Sequence, residues 1–512
     1  MTQPNPLAFI PFTGTNFGLP GTDPLLHVDP LLSYPTPGTT DTPADEMMSL
    51  EPPENFQLPP QIVIVQLANI FFEHLYPMFP CFHKKRLFLA IESGQLQNES
   101  PILLYAICCV AARHHPEDTI KRRSKDWYEQ AKFSYELTRQ KPEPFLRIVQ
   151  AVLLLIFHAW TIGDFSSSWL FLGKAWRQAV VLCLNVDANC GKTPQPNLNQ
   201  GKTSVEKEEH RRALWLLFMM DRTHSWPTGW PVAIPETQFK VDFPKPESAF
   251  QAMDPESHTL CDGNTPFTRN LSELICSSSS AKDPLNVLHY IAIAHVLLGR
   301  VSELVHSPHS SPDSPEYAEN CAKLDNSIVK FRISLPRQAS SVLAAPPADR
   351  EHVVWLQVTL NAMAIILHYR RREQGSSPDS TSPSSLALIA ARNVAQVAKD
   401  ASRISVDLLL SAHIGSSLYI AACVLVIQWR LSGDESLKDD IDLFTFVFER
   451  MDEEFIFLGL KFKSALEHDM KKSREELLGL QEWGFRGLLA DCKKWDYARL
   501  EAEQRGLEIN TD

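Results

Sequence analysis

Eight consecutive positions, Ala213–Met220, carry only apolar side chains. At about 100° per residue such a run goes all the way round a helix, so the helix has no solvent face and belongs at the centre of a large core. Thr203, three residues before Glu206, fits a capping box and predicts a helix start near Ser204. The acidic first turn suits the positive end of the helix dipole. Charge sits only at the ends of the apolar run, at Glu208, Glu209, Arg211 and Arg212, then at Asp221 and Arg222. Arg222 shares a stripe with Arg211, Trp215 and Phe218, and Asp221 shares one with Leu214 and Leu217. A charge buried alone there costs several kcal/mol, so these residues need partners. Pro227, Gly229, Pro231 and Pro235 predict that the helix then stops and leaves as an extended, rigid exit.

The same periodicity predicts helices elsewhere. Residues 61–88 read as a helix followed by a turn, and further helices are expected at about 101–115, 119–139, 145–162 and 166–186. Residues 226–283 form a Pro/Ser-rich excursion with little periodicity. Helical patterns resume at 284–306, 316–335, 349–372, 384–402, 405–430, 438–450, 453–470 and 474–490. With no convincing period-2 run, the predicted fold is all-α.

Composition changes the picture mainly at the N-terminus. Residues 1–58 are rich in Pro, Thr, Gly and Leu, and no Lys or Arg occurs before Lys84, which predicts a disordered, acidic tail of activation-segment composition. The chain has a net charge of −12, so as a whole it repels nucleic acid and anionic membrane. Ten scattered cysteines, as at Cys108, Cys109, Cys183 and Cys423, read as reduced thiols of a nuclear or cytosolic protein. The apolar runs Ile148–Trp160 and Leu418–Trp429 are too short to span a bilayer, and no secretory signal is expected. Two Ser-Pro-rich breaks, at 307–316 and 375–385, read as flexible loops that offer proline-directed phosphorylation sites.

Catalytic and metal chemistry finds little support. His74, Cys81 and His83 are close in sequence but are better explained by turn and core roles. Gly191-Lys-Thr and Gly201-Lys-Thr lack the preceding glycine and strand of a phosphate loop. Asp439, Asp440 and Asp442 sit where helix-start carboxylates usually cap, and the basic triplets at 84–86, 121–123 and 370–372 read as solvated helix ends. Trp160, Trp169, Trp176, Trp215 and Trp230 accumulate near the central helix, as core packing or as the wall of a small-molecule pocket.

The pattern E-x-x-R-R-x-x-W, then D-R, then G-x-P closing on I-P, resembles the signature of the fungal-specific transcription factor domain, the regulatory region of zinc-cluster activators of the xylanolytic type. Glu209 (one residue closer to the arginines than usual), Arg211, Arg212, Trp215, Asp221, Arg222, Gly229, Pro231 and Ile234 carry the match. Trp230 stands where the family commonly has arginine. The helix W-x-x-x-G-x-A-x-R, with Gly173 and Ala175, adds Arg177 as a carboxylate partner. The resemblance covers about Ile62–Leu335 well and divides the folded part into a half at 59–250, a loop at 251–283 and a helical half at 284–500, followed by a tail at 501–512. It implies a nuclear transcription regulator whose partners are other transcription factors or coactivators, in a homo- or heterodimer, with a small-molecule inducer. The family's zinc cluster needs six cysteines within roughly 40 residues, whereas the first hundred residues here contain only Cys81. No zinc or other cofactor is therefore expected, and DNA contact is assigned to a partner or to a cluster encoded upstream. The alternatives are a cluster-less interaction protein that titrates a related factor and, more remotely, an all-α enzyme.

Overall fold

The computed structural model describes residues 57–137, 145–186, 202–258, 263–307, 314–369, 383–488 except 456 and 483, and 496–506. The expectations for the N-terminal tail up to residue 56, for most of both Ser-Pro segments and for the triplet at 370–372 lie outside these residues. Among the described residues no strand forms, only the isolated bridges Val186–Lys240 and Lys282–Leu285. The fold is all-α.

The principal helices of the first half are α1 (Gln61–Ile70), α2 (Lys84–Glu92), α3 (Pro101–Ala111), α4 (Ser124–Leu137), α5 (Phe145–Thr161), α6 (Phe165–Val181) and α7 (Ser204–Thr228). Those that follow are α8 (Val287–His306), α9 (Pro315–Ser334), α10 (Arg350–His368), α11 (Pro383–Ser402), α12 (Gly415–Ser432), α13 (Lys438–Phe455), α14 (Phe457–Lys471), α15 (Arg474–Glu482) and α16 (Asp496–Gln504). Polar side chains set many of the starts. Asp164 accepts from the Ser167 N–H, Asn286 from His289 and Ser314 from Tyr317, each satisfying a donor that the first turn leaves unpaired. Pro101 and Pro315 occupy first-turn positions, where a missing N–H costs nothing.

The core is layered around α7. This helix packs against α5 and α6 on one side and α8 on the other; α8 then packs on α10, α10 on α11, α11 on α12, and α12 on α14. Every residue of α7 from Arg212 to Pro227 is buried, as a helix apolar all round requires.

Three expectations are corrected by this arrangement. The central helix does not stop after Arg222 but runs through Pro227 to Thr228. Pro227 has no N–H to donate, yet the helix ends only two residues later, where Gly229 adopts a left-handed φ of 72° and closes its N–H on the Ser225 carbonyl at 2.9 Å. Thr228 Oγ1 donates back to the His224 carbonyl at 2.9 Å, and the buried Trp226 holds this last turn in the core. Second, residues 405–414 are not the start of α12; a short 3₁₀ turn at Val406–Leu409 precedes it. Third, α8 and α12 are long and apolar enough to cross a bilayer, yet 83% and 72% of their apolar windows are buried inside the protein. Polar residues within their end turns carry these helices beyond their uninterrupted apolar runs, and they are core helices.

Candidate functional site

The charged first half of α7 reaches three distant segments. The capping box is formed, with Thr203 accepting from the Glu206 N–H and Glu206 accepting from the Thr203 N–H. Glu208 lies three residues before Arg211 and four before Arg212, the separations that share a helix face. It accepts from Arg211 Nη1 at 2.6 Å and from Arg212 Nε at 3.2 Å, and also from the backbone N–H of Lys245 at 2.6 Å. Burial works to raise the Glu208 pKa, but the two guanidiniums and that backbone N–H outweigh it and hold the carboxyl below its usual range.

Arg212 is fully buried and fully occupied. Its Nη1 donates to the Pro80 carbonyl at 2.7 Å and to Glu247 at 2.5 Å, its Nη2 donates to the Lys245 carbonyl at 2.7 Å, and its plane lies 4.1 Å from the centroid of Phe250. Burial disfavours the charge, yet Glu247 and Glu208 more than offset it, so the guanidinium pKa is raised.

Glu209 faces elsewhere. It accepts from the His83 N–H at 2.9 Å, pairs with Arg86, and lies 3.6 Å from Arg147 Nη1. Arg86 bridges to Glu206 as well, and Arg147 donates to Gln150, which in turn donates to the Cys81 carbonyl at 2.7 Å. The turn at 80–83, the start of α2, α5, α7 and the segment 242–251 are thus joined by one buried polar network. The helix carboxylate serving both Arg211 and Arg212 is Glu208; Glu209, which the sequence pattern singled out, stands only two residues before Arg211 and serves Arg86 and Arg147 instead.

At the other end of the apolar run, Asp221 accepts from the backbone N–H groups of Ala233 and Ile234 at 2.9 and 3.0 Å and from Arg222 Nη1 at 2.5 Å. Arg222 Nη2 donates to the Ile234 carbonyl at 2.8 Å, and its guanidinium sits 4.0 Å from the Phe218 ring centroid. The exit loop contributes its backbone to this pair. Burial pushes the Asp221 carboxyl up and the Arg222 guanidinium down, each opposed by the other's charge. Arg177 does not join either group. It is exposed on α6 and makes no ion pair among the described residues.

The five tryptophans sit in aromatic surroundings. Trp215 packs with Phe218, Phe239, Phe243 and Phe267 and donates from Nε1 to the Asp242 carbonyl at 2.9 Å. Trp176 meets Phe239, Trp160 lies on His224, and Trp169 meets the 39% exposed Trp230 edge-on at 5.6 Å. None of the five lines the cavity of about 510 Å³ between α3, α4, α5 and α13 or that of about 210 Å³ near Leu184 and His210. Cys81 and His83 are buried beside the α7 network, whereas His74 stacks on His114 at 4.8 Å. Among the described residues no group of three metal-ligating side chains comes together.

Sequence reasoning missed Arg86, Arg147 and Glu247 as members of the network. Arg147, a lone charge in an otherwise apolar helix, was the available signal; Arg86 looked like a solvated triplet, and Glu247 lies in a segment without periodicity.

Fold and network together define a large all-helical domain whose central helix is held by buried ion pairs to segments far away in sequence. Residues 68–317 match the family described as the fungal specific transcription factor domain, and the chain carries that domain there. Over 289 residues, 54% of this chain, it is 25% identical to the Zn(2)-C6 fungal-type transcription factor FTF1c of Fusarium oxysporum f. sp. lycopersici, covering 30% of that protein. It is 26% identical over 47% of its length to the transcription factor tazR of Aspergillus terreus, covering 41% of it. A transcriptional regulatory protein of Schizosaccharomyces pombe is 29% identical over 32% of this chain, with 17% of that protein covered. The domain and these relatives are those of transcription factors, not of an enzyme. The chain spans less than a third of the first relative's length.

Proposed function

We propose that this chain is a fungal transcription regulator acting in the nucleus through its all-α regulatory domain. The observation that carries the reading is the match over residues 68–317, together with a central helix whose charged ends are used to hold the domain in one arrangement. In this reading Glu208, Glu209, Arg211, Arg212, Asp221 and Arg222 are structural, and regulation reaches transcription through contacts with other factors or coactivators. A partner carrying its own DNA-binding domain supplies contact with DNA, since the −12 net charge opposes binding to a duplex. The residues divide as a half at 59–250, a connection at 251–283 and a second helical half at 284–500 of the same domain.

The test is to tether the full chain to a heterologous DNA-binding domain upstream of a reporter in a fungal host. A change in reporter transcription, lost in Asp221→Ala, is expected; an unaltered reporter with stably expressed fusion would overturn the proposal.

A further inference from the structure

The cavity of about 510 Å³ lies away from the α7 network, where the end of α3, the helices α4 and α5 and the C-terminal turn of α13 meet. Its inner wall is apolar, with Val110, Phe157 and Ile162, and Tyr128 closes one side with a ring that lies 4.6 Å from His158. Its mouth is basic. Arg113, Lys121, Arg122 and Lys125 line it, against three carboxylates, Glu129, Glu453 and Glu454.

Each of those carboxylates already faces a cation. Glu129 pairs with Lys132 at 3.1 Å, Glu453 pairs with Arg450, and Glu454 lies 3.3 Å from His114 Nε2 and faces Arg113. Arg113 is also packed over the Phe455 ring, at 5.6 Å. Lys121 pairs with Asp118 at 3.4 Å, whereas Arg122 is exposed at the rim and has no side-chain partner among the described residues. In a chain of net charge −12, a concave site with an apolar wall and an exposed guanidinium, that of Arg122, at its mouth selects one kind of small molecule.

We propose that this cavity binds a small organic acid, its apolar body against Val110, Phe157 and Ile162 and its anionic head at the Arg122–Lys125 rim. A charge-assisted contact at a partly shielded rim discriminates acid from alcohol, while the apolar wall supplies sequence-independent affinity through burial. Because α3, α4 and α5 come from the first half and Glu453 and Glu454 from the second, an occupant touches both halves of the domain at once. The proposal deepens the regulator reading by naming the inducer class, and its test uses no reporter, so the two can fail separately.

The experiment is isothermal titration of the purified 512-residue chain with naphthylacetate and with decanoate, each beside its neutral alcohol. At least one acid is expected to bind saturably and about tenfold more tightly than its alcohol. Arg122→Gln/Lys125→Gln, at two exposed positions, should remove that margin while keeping the wild-type melting temperature. Ile162→Trp, which fills the cavity from one side, should weaken acid and alcohol alike. Absence of saturable binding by both acids, equal affinity for acid and alcohol, or undiminished discrimination in the double variant would overturn the proposal.

Discussion

Three donors converge on Asp221, two from the exit-loop backbone and one from Arg222. Asp221→Ala leaves a buried guanidinium and two backbone N–H groups without their acceptor, and the expected cost is about 3–5 kcal/mol. The measurement is thermal unfolding of the purified variant; a wild-type melting temperature would contradict this account of the pair. The guanidinium is confined from the opposite side by Gly299 of α8, where an added Cβ would lie 2.5 Å from Arg222 Nε and 2.8 Å from its Cδ. Arg222 is pinned by Asp221 and Ile234 and cannot swing aside, so Gly299→Ala should destabilise by about 1–3 kcal/mol. Denaturant unfolding checks it, and a neutral result would mean that Arg222 can relocate.

The central helix was legible because its signal is local. The run Ala213–Met220 and the Thr203–Glu206 spacing need no tertiary knowledge, and both appear as expected, the first buried on every side and the second as a formed capping box. Thr203→Ala should cost about 1 kcal/mol, the usual value of a lost cap; because Glu206 also serves Arg86, Glu206→Ala should cost more, and a melting-temperature comparison of the two variants decides. The helix end was misread because Pro227 reads locally as a stop, whereas the burial of Trp226 and Pro227 carries the helix on to Thr228 and the left-handed Gly229 ends it. The network was half legible. Charges flanking an apolar run announce a need for partners, but the partners Pro80, Lys245 and Glu247 lie 132, 33 and 35 residues away, and no periodicity encodes such pairings. The choice between Glu208 and Glu209 could have been settled by counting, since only Glu208 stands at both favourable separations from the arginines.

At the scale of the molecule, the core holds an unusual set of neutral histidines. Burial lowers His224 and His295 to about 4, and His289 and His413 to about 3, from an ordinary 6.5. His224, His295 and His413 gather around Trp160 and Trp355, with His413 stacked on Trp355 at 4.4 Å. A base whose folded pKa is lowered contributes stability that is complete above 6.5 and is lost as pH falls toward the folded value. Each of these groups should therefore cost about 2 kcal/mol at pH 5 relative to pH 7, and the melting temperature should fall steeply across that window. A flat profile between pH 7 and 5 would show that these rings are hydrated. A second expectation concerns the whole chain: purified, it should contain no stoichiometric zinc and select no duplex from a random pool at physiological salt. Elemental analysis and gel-shift selection check the two parts, and two zinc ions per chain or an enriched motif would refute them.

The buried network at the start of α7 also constrains how such a chain can change over time. Glu208 accepts from Arg211, Arg212 and the Lys245 N–H, and Arg212 reaches Glu247 and two carbonyls besides. Replacing any one member removes part of the compensation of a buried charge, so single-step routes away from this arrangement pass through a less stable intermediate. Surface positions drift freely, while these few can be altered only by coordinated substitution. A signature anchored in mutual desolvation of this kind stays readable in a chain only 25% identical to the FTF1c relative over the 289 residues that align.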